Sequence, residues 1–467
     1  MLSATAIALP AQTVTTLSSF DNTNGAQPYA GLIQATNGDF YGTTTSGGAG
    51  NSGTVFKITP AGTLTTVHTF CSETGCPDGA NPYASVVQTS SGNLFGTTLD
   101  GGPNGFGIVF TITSKGTETL LYGFCSLPGC TDGGFPYAGL VAGPSGNLYG
   151  TTEFGGKHGG GTVFEITPTG TLTTLYNFCS ASGCTDGESP DSGLVLAANG
   201  NFYGATFSGG VNGSYGTIFK ITPAGALTTL YSFCAQNGCP DGKGPQATLV
   251  QGAGGNLFGT TVFGGASGDG TVFEISPTGM LTTLYSFCAA GGCADGKNPK
   301  AGLVLGSDGN LYGTTSGGGN NGDGTVFRIT SGGILTTLYS FCSQSGCTDG
   351  DLPYAGLMQS TNGDFYGTTY FGGSGGNLGS IFSLSVGLGP FIETQTTFGK
   401  VGAAVDILGT NLTGATKVTF NGTNATFRVA SSSEITTTVP TGATTGTVEV
   451  VTPGGTLLSS VPFRVLQ

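Results

Sequence analysis

The twelve cysteines are the residues of this chain best placed to do chemistry. They stand as six Cys-x4-Cys pairs: Cys71 with Cys76, Cys125 with Cys130, Cys179 with Cys184, Cys234 with Cys239, Cys288 with Cys293, and Cys342 with Cys347. Such pairs can close on themselves as disulfides, hold a metal as thiolates, or stay free or cross-paired. An even count at regular spacing favours disulfides in an exported chain. Zinc is disfavoured, because its usual half-site is Cys-x2-Cys and the chain has only two histidines. The loop from Phe20 to Pro28 is an internal control. It is four residues shorter than its counterparts and lacks both cysteines together, as expected if each pair is bonded to itself. By the loop-entropy estimate each small ring contributes roughly 2 kcal/mol.

A carboxylate follows every pair in the pattern Asp-Gly-x-x-Pro, at Asp78, Asp132, Asp186, Asp241, Asp295 and Asp349, with Asn24 in the control loop. One carboxylate per loop falls short of the about 6–8 oxygens that calcium takes. An Asx-type turn is the expected role. His68 occupies the place of Tyr122, Tyr176, Tyr231, Tyr285 and Tyr339 and reads as a substituted strand residue. His158 lies in Gly155-Gly156-Lys157-His158-Gly159. A general base needs a partner and an orienting group, and none is assignable to it. No Gly-x-Ser-x-Gly elbow, His-Glu-x-x-His or phosphate-binding loop occurs. No catalytic, cofactor-binding or metal residue is assigned, and no cofactor is expected.

These residues are positioned by a repeat. Gly309-Asn310-Leu311-Tyr312-Gly313-Thr314-Thr315 is one of seven near-copies, with aromatic-Gly pairs at Tyr41, Phe95, Tyr149, Tyr203, Phe258, Tyr312 and Tyr366. The steps are 54, 54, 54, 55, 54 and 54 residues, a period that signals a repeat architecture. Each unit reads as four antiparallel strands. Strand A is a short apolar run such as 302–305, and strand B is the stretch above, after a tight turn such as Asp308-Gly309. Strand C follows a Gly-rich loop, as at 270–273, and strand D runs from Leu335 to Phe341 and its copies. No helical periodicity appears. Neighbouring units must stack to bury their faces, either radially as a β-propeller or as a linear β-solenoid. The ends decide. Residues 13–20 are a lone strand D, and the seventh copy stops after strand C near Ser385. A ring whose last blade borrows the N-terminal strand explains that offset, and a solenoid does not. The predicted fold is all-β: a seven-bladed propeller of four-stranded blades over 13–387, then a small immunoglobulin-like sandwich over 388–467.

Composition excludes several classes. Glycine is abundant, at 89 residues, but hydrophobic residues reach 37% with 30 Phe and 16 Tyr, so disorder is not expected. Net charge is −13 and the 12 Lys and Arg are scattered. A nucleic-acid partner, which needs a clustered basic face, is excluded, and an anionic membrane surface is disfavoured. No apolar run reaches the length of a transmembrane helix. Residues 1–12 read as a signal-peptide remnant with small residues near Ala11 but no basic start; the alternative is a disordered tail.

Two resemblances carry further expectations. Gly-Asn-Leu-Tyr-Gly-Thr-Thr, then Gly-Thr-Val-Phe, then Thr-Pro-x-Gly-x-Leu-Thr-Thr-Leu-Tyr-Ser-Phe, resembles the bacterial GloVer-type tandem repeat over roughly 13–386. That resemblance implies an exported, cell-surface protein and assigns no activity. The family's C-terminal anchors have no counterpart in a hydrophobic tail before Gln467. Residues 402–412, Val418-Thr419-Phe420-Asn421-Gly422, Val439-Pro440 and Thr452-Pro453-Gly454-Gly455 resemble the IPT/TIG immunoglobulin-like family. It implies an interaction or spacer module. Propeller enzymes of the streptogramin-lyase or cyclase kind resemble the chain only at the level of blades.

In a propeller the D–A cysteine loops and the B–C loops open on one face, and variation concentrates in the B–C loops. Phe154, Phe263, Tyr370 and Phe371, with His158, are the candidate ligand-face residues. Exposed aromatics there suit stacking on sugars or partner surfaces; the plainer alternative is that they tuck against neighbouring loops. The expected function is exported, non-catalytic binding, adhesion or scaffolding. The expected partner is an extracellular carbohydrate or surface protein. The alternatives are an extracellular lyase or hydrolase and a structural envelope or matrix protein.

Overall fold

The computed structural model describes residues 12–466. The signal-peptide reading therefore falls outside the described residues, apart from its last position. Seven four-stranded antiparallel sheets follow one another, each in the order A-B-C-D. Blade 1 has strands Ile33–Gln34, Phe40–Thr44, Thr54–Ile58 and Leu64–Thr69. Blade 6 has Val304–Leu305, Leu311–Thr315, Thr325–Ile329 and Leu335–Ser340. Blade 7 takes Met358–Gln359, Phe365–Thr369 and Ser380–Ser385 from the end of the repeats and Thr13–Ser19 from the N-terminus. The N-terminal strand thus closes the ring.

The constant residues of the repeat are explained by contacts that each blade makes alone or with its neighbour. Strand B is buried along its length, so its sequence is apolar or small rather than alternating. Its glycine lies opposite the strand-C phenylalanine, as Gly313 lies opposite Phe327. A Cβ on Gly313 would come 2.6 Å from the Phe327 ring and 2.8 Å from Leu303. The first threonine ties blades together: Thr314 Oγ1 donates to Ala355 O of the next blade at 2.9 Å. Thr368 does the same across the closure, to Ala30 O at 3.3 Å. In blade 4 this place is Ala205, which has no hydroxyl, and Ser192 Oγ of the same blade donates to Ala205 O at 2.9 Å. The second threonine bonds strand C within the blade, as Thr315 Oγ1 meets Thr325 Oγ1 at 2.8 Å.

Each interface between blades has its own apolar core. The phenylalanine closing strand D packs edge-on against the strand-C phenylalanine of the next blade. The seven pairs, Phe20–Phe56, Phe70–Phe110, Phe124–Phe164, Phe178–Phe219, Phe233–Phe273, Phe287–Phe327 and Phe341–Phe382, have ring centroids 5.1–5.3 Å apart. A register shift between strands C and D recurs in every blade, and such bulges add twist.

The C-terminal residues form two facing four-stranded sheets. One contains Ala404–Leu408 and Glu434–Thr438, the other Lys417–Phe420 and Val448–Thr452. Ile407, Leu412, Phe420, Ile435, Val448, Val450 and Phe463 fill the space between them. This sandwich sits on the A–B turn face of the propeller. Phe391 N donates to Thr361 O at 3.0 Å, and Ser433 Oγ donates to Thr36 O at 2.9 Å. Gln395 meets Gln88 at 3.2 Å, and the Arg464 guanidinium lies beside Gly200. Those partners belong to blades 7, 1, 2 and 4, so the sandwich reaches across that end of the ring. The opposite end is left to the D–A and B–C loops.

Candidate functional site

The loop face is built from paired loops. In every blade the D–A loop bridges the B–C loop in antiparallel fashion, as Lys297 pairs with Gly317 and Asp351 with Phe371. All six cysteine pairs are bonded within the pair: Cys71 to Cys76, Cys125 to Cys130, Cys179 to Cys184, Cys234 to Cys239, Cys288 to Cys293, and Cys342 to Cys347. No free cysteine stands among the described residues. The bonded sulfurs are no longer thiolates, so carboxylates near three of the pairs, Glu188, Asp269 and Asp323, gain no thiolate partner for a metal.

The second cysteine of each pair does more than close the ring, which its spacing did not reveal. Its carbonyl accepts from a glycine of the B–C loop. Gly102 N donates to Cys76 O at 2.8 Å, Gly156 N to Cys130 O at 2.9 Å and Gly265 N to Cys239 O at 2.9 Å. The same carbonyl takes the amide of the Asp-Gly glycine, as from Gly79 to Cys76, Gly133 to Cys130 and Gly242 to Cys239, at 2.9–3.0 Å. Each disulfide thus fixes the point where the two loops of its blade are joined. All twelve cysteines have φ of 49–60°. Most residues before the loop prolines share that region: Gln27, Asn81, Phe135, Ser189, Asn298 and Leu352 lie at 50–57°. Backbone held in this left-handed region persists only where its surroundings over-determine it.

The repeated aspartate supplies part of that constraint, through a wider clasp than an Asx turn. Its Oδ2 accepts from the strand-D tyrosine hydroxyl: Tyr122–Asp132, Tyr176–Asp186, Tyr231–Asp241, Tyr285–Asp295 and Tyr339–Asp349 at 2.7–2.9 Å. The carboxylate also takes the amide after the first cysteine, as from Ser343 N at 2.8 Å. His68 stands in the tyrosine's place, with Nε2 3.4 Å from Asp78. Burial pulls its pKa down, and Asp78 opposes that shift. The clasp explains why tyrosine and aspartate recur together.

The residues that follow the seven loop prolines gather around one cavity, and all but one of them line it. Going round, these are Tyr29, Tyr83, Tyr137, Asp191, Gln246, Lys300 and Tyr354. Their flanks hardly vary, yet they do. A cavity of about 370 Å3 opens here, lined by Tyr29, Tyr83, Tyr137, Asp191, Gln246 and Tyr354. Tyr29 lies at the centre of the aromatic half, with Tyr83, Tyr354, Tyr137 and Tyr370 at 5.0, 5.5, 5.8 and 6.1 Å. Burial pushes its phenol up to about 12 and that of Tyr137 higher still. Lys300 Nζ sits 4.0 Å from the Tyr354 ring centroid. Asp191 Oδ1 is buried without a hydrogen-bond partner among the described residues.

The structure distributes the sequence-predicted residues unevenly. Tyr370 joins the axial cluster, 4.9 Å from Tyr354. Phe371 packs on Tyr370 at 4.8 Å, and both are half-buried rather than solvent-facing. Phe154 is 44% exposed and Phe263 is 41% exposed, although Phe154 also stacks on Phe106 at 6.4 Å. His158 is exposed on its loop. The axial set Tyr29, Tyr83, Tyr137, Asp191, Gln246, Lys300 and Tyr354 was missed. Its signal was available, as a variable residue between an invariant proline and a strand.

Buried carboxyls of the propeller predict how stability depends on pH. Burial, then Glu153, pushes Asp191 up to about 8. Burial, then Asp78, pushes Glu118 up to about 7. Burial, then Asp323, pushes Asp351 up to about 6. An acid raised in the folded state holds its proton more tightly there than in the unfolded chain, so stability falls as pH rises from the ordinary carboxylate range, about pH 4, up to these values and loses nothing further above them. At Asp132 and Asp349 burial is outweighed by hydrogen bonds from Ser126, Tyr122 and Leu127, and from Tyr339, Ser343 and Gln344, so both pKa values are lowered. Their contribution is lost as pH falls below the ordinary carboxylate range. Thermal stability is therefore expected to peak at about pH 4 to 5 and to decline from there until about pH 8. Scanning calorimetry checks this, and Asp191→Asn should reduce the decline. A Tm that rises from about pH 6 to about pH 9 would contradict it.

A seven-bladed propeller with an immunoglobulin-like module on one end and a loop-built mouth on the other defines the class. The chain belongs to the Gloeobacter/Verrucomicrobia repeat family, whose model matches residues 5–130, 126–301 and 291–413. Residues 390–465 match the IPT/TIG domain. No curated protein matches the chain significantly. Among solved structures, a fungal alcohol oxidase of the AA5 family in complex with copper is similar at a TM-score of 0.51 and 12% identity, covering 97% of this chain and 99% of that one. The extracellular domain of a protein described as a hybrid two-component system from B. thetaiotaomicron is similar at 0.51 and 13%, covering 98% of this chain and 60% of that one. At these identities the likeness shows the fold alone. No helix among the described residues is long and apolar enough to cross a membrane.

Proposed function

We propose that this chain is an exported, non-catalytic binding protein. Its propeller presents the loop face to an extracellular carbohydrate or surface protein, and the C-terminal module, dividing off near residue 388, serves as spacer or second contact. The observation that carries this reading is where the repeats stop agreeing. Blade-building residues are kept, while the post-proline ring and the B–C tips diverge around one mouth. The six disulfides fit an oxidising compartment. Covering the opposite end with the sandwich leaves the loop face for ligands.

A catalytic reading has the raised carboxyl of Asp191 beside Glu153 in its favour. The serine and threonine hydroxyls in the cavity wall are engaged with the backbone, Ser85 donating to Gly31 O and Thr248 accepting from Gly193 N, and no base is bonded to either among the described residues. The copper of the fungal oxidase does not carry over either. The mouth offers phenols, carboxylates and an amide, whereas copper sites draw on imidazole or thiolate. His68 is in a strand-D clasp and His158 on a loop tip.

A glycan panel and a set of surface proteins, presented to the oxidised full chain, test the reading. Substituting both exposed rim rings, Phe154→Ser with Phe263→Ser, should weaken the bound ligand about tenfold, from roughly 1 kcal/mol or less per lost ring contact. Tm should hardly move. Unchanged affinity in the double variant removes the rim from the site. Self-association without any ligand favours a structural matrix role instead.

A further inference from the structure

We propose that the axial mouth receives a small organic ammonium group, with the tyrosine rings against its alkyl shell and the Asp191 carboxylate as its counter-charge. This rests on the loop face being the binding face, and it names the chemical class of what enters.

Shape and lining come first. The cavity of about 370 Å3 has tyrosines on one side and Asp191 with Gln246 on the other. It lies within the size range of small-molecule pockets. Aromatic ring faces attract cations, most strongly where water is scarce. This wall already holds one ammonium, Lys300 Nζ over Tyr354 at 4.0 Å. The remaining rings, Tyr29, Tyr83 and Tyr137, have no cation over them among the described residues.

Charge decides the sign of the ligand. Asp191 Oδ1 is buried and unpartnered among the described residues. The groups acting on Asp191 are Glu153, from the end of strand B in blade 3, and the phenols of Tyr29 and Tyr137. None of them is cationic. Lys300 is engaged at Tyr354, and Asp100 and Asp351 add like charge around Tyr83 and Tyr354. An anion entering here is opposed. A neutral polyol can donate hydroxyls to Asp191 in either state, but it brings no charge to offset the ionised form. A cation removes the desolvation penalty that keeps the proton on.

Choline is a suitable probe because its charge does not titrate, and its uncharged analogue dimethylbutanol has nearly the same shape. Calorimetry on the oxidised full chain should give choline about tenfold tighter binding than the analogue, the size of one desolvated cation–π contact with its counter-charge. Binding near pH 6 should release a proton, measured from two buffers of different ionisation heat, and affinity should rise as pH climbs through about 8. Asp191→Asn should cut most of choline's advantage over the analogue and abolish the proton release. Equal affinity for the two probes in the unmodified protein overturns the proposal without relying on any variant. So does choline binding that Asp191→Asn leaves intact, or proton uptake instead of release. If choline fails while a glycan or surface protein binds, only the ammonium assignment falls. If nothing binds the loop face, the wider reading falls with it.

Discussion

Removing residues 1–20 is expected to unfold the whole ring rather than one blade. The strand Thr13–Ser19 pairs with Ser380–Ser385 in six registered positions. Phe20, fully buried, packs on Phe56 at 5.2 Å, so the same segment seals blade 7 and its interface with blade 1. Loss of a buried phenylalanine alone removes about 3–5 kcal/mol. Loss of the strand's ladder and of the Leu17 contacts adds to it. A domain's whole stability is about 5–15 kcal/mol, so this one segment accounts for much of the margin. The truncation also bares strand C of blade 7 as an edge, which invites aggregation. The truncated chain should lack a cooperative melt by calorimetry, and a synthetic peptide of residues 13–20 should restore it in part. A truncated chain melting within a few degrees of the full one would show that the closure is dispensable.

Asp349→Ala should destabilise the protein more than removal of the neighbouring disulfide. Asp349 is 1% exposed. It accepts from Tyr339 Oη at 2.7 Å, Ser343 N and Oγ at 2.8 Å and Gln344 N at 3.2 Å. A hydrogen bond to a charged group contributes about 1.5–3 kcal/mol, and donors left unpaired in a buried place cost about 1–3 kcal/mol more. Water that reaches the loop returns part of this, so a net loss of about 3–4 kcal/mol is expected. The ring closed by Cys342 and Cys347, with a separation of 5 residues, contributes roughly 2 kcal/mol in the loop-entropy account. Denaturation midpoints for Asp349→Ala and for the paired Cys342→Ala, Cys347→Ala variant decide the order. Tyr339→Phe should lose less than Asp349→Ala, because the amide and serine bonds survive it. If the double cysteine variant proves the weaker protein, the clasp is secondary to the covalent bond.

Much of the architecture was legible because it is repeated local chemistry. The even steps from Tyr41 to Tyr366 require equivalent units, and the lone strand at 13–20 with the missing strand after Ser385 requires a closed ring. The joint loss of both cysteines from the shortened loop after Phe20 anticipates pairing within each loop, as in Cys71 with Cys76. The carbonyls of Cys76, Cys130 and Cys239 were not legible in the same way, because their donors lie in the following B–C loop. The clasp was half visible. Tyrosine and aspartate recur together in five of the six cysteine-bearing loops, but the ten-residue reach from Tyr339 to Asp349 depends on how the loop folds back. The sequence leaves open whether Tyr370 and Phe371 stand on a solvent-facing rim or tuck against neighbouring loops. The structure half-buries both, because Tyr354, from another loop, stands against Tyr370, and Tyr370 against Phe371.

By itself the sequence determined the strands, the blade count, the closure and the disulfide partners, because each depends on residues close along the chain or on copies that can be aligned. Only the tertiary structure decided the site. Tyr29, Asp191 and Tyr354 lie in different repeats, and no local pattern ties a phenol in one to a carboxyl in another. Rotation of seven near-identical units about one axis brings the post-proline position of each to the same point. Small differences between copies then add up to a mouth with an aromatic side and a charged side.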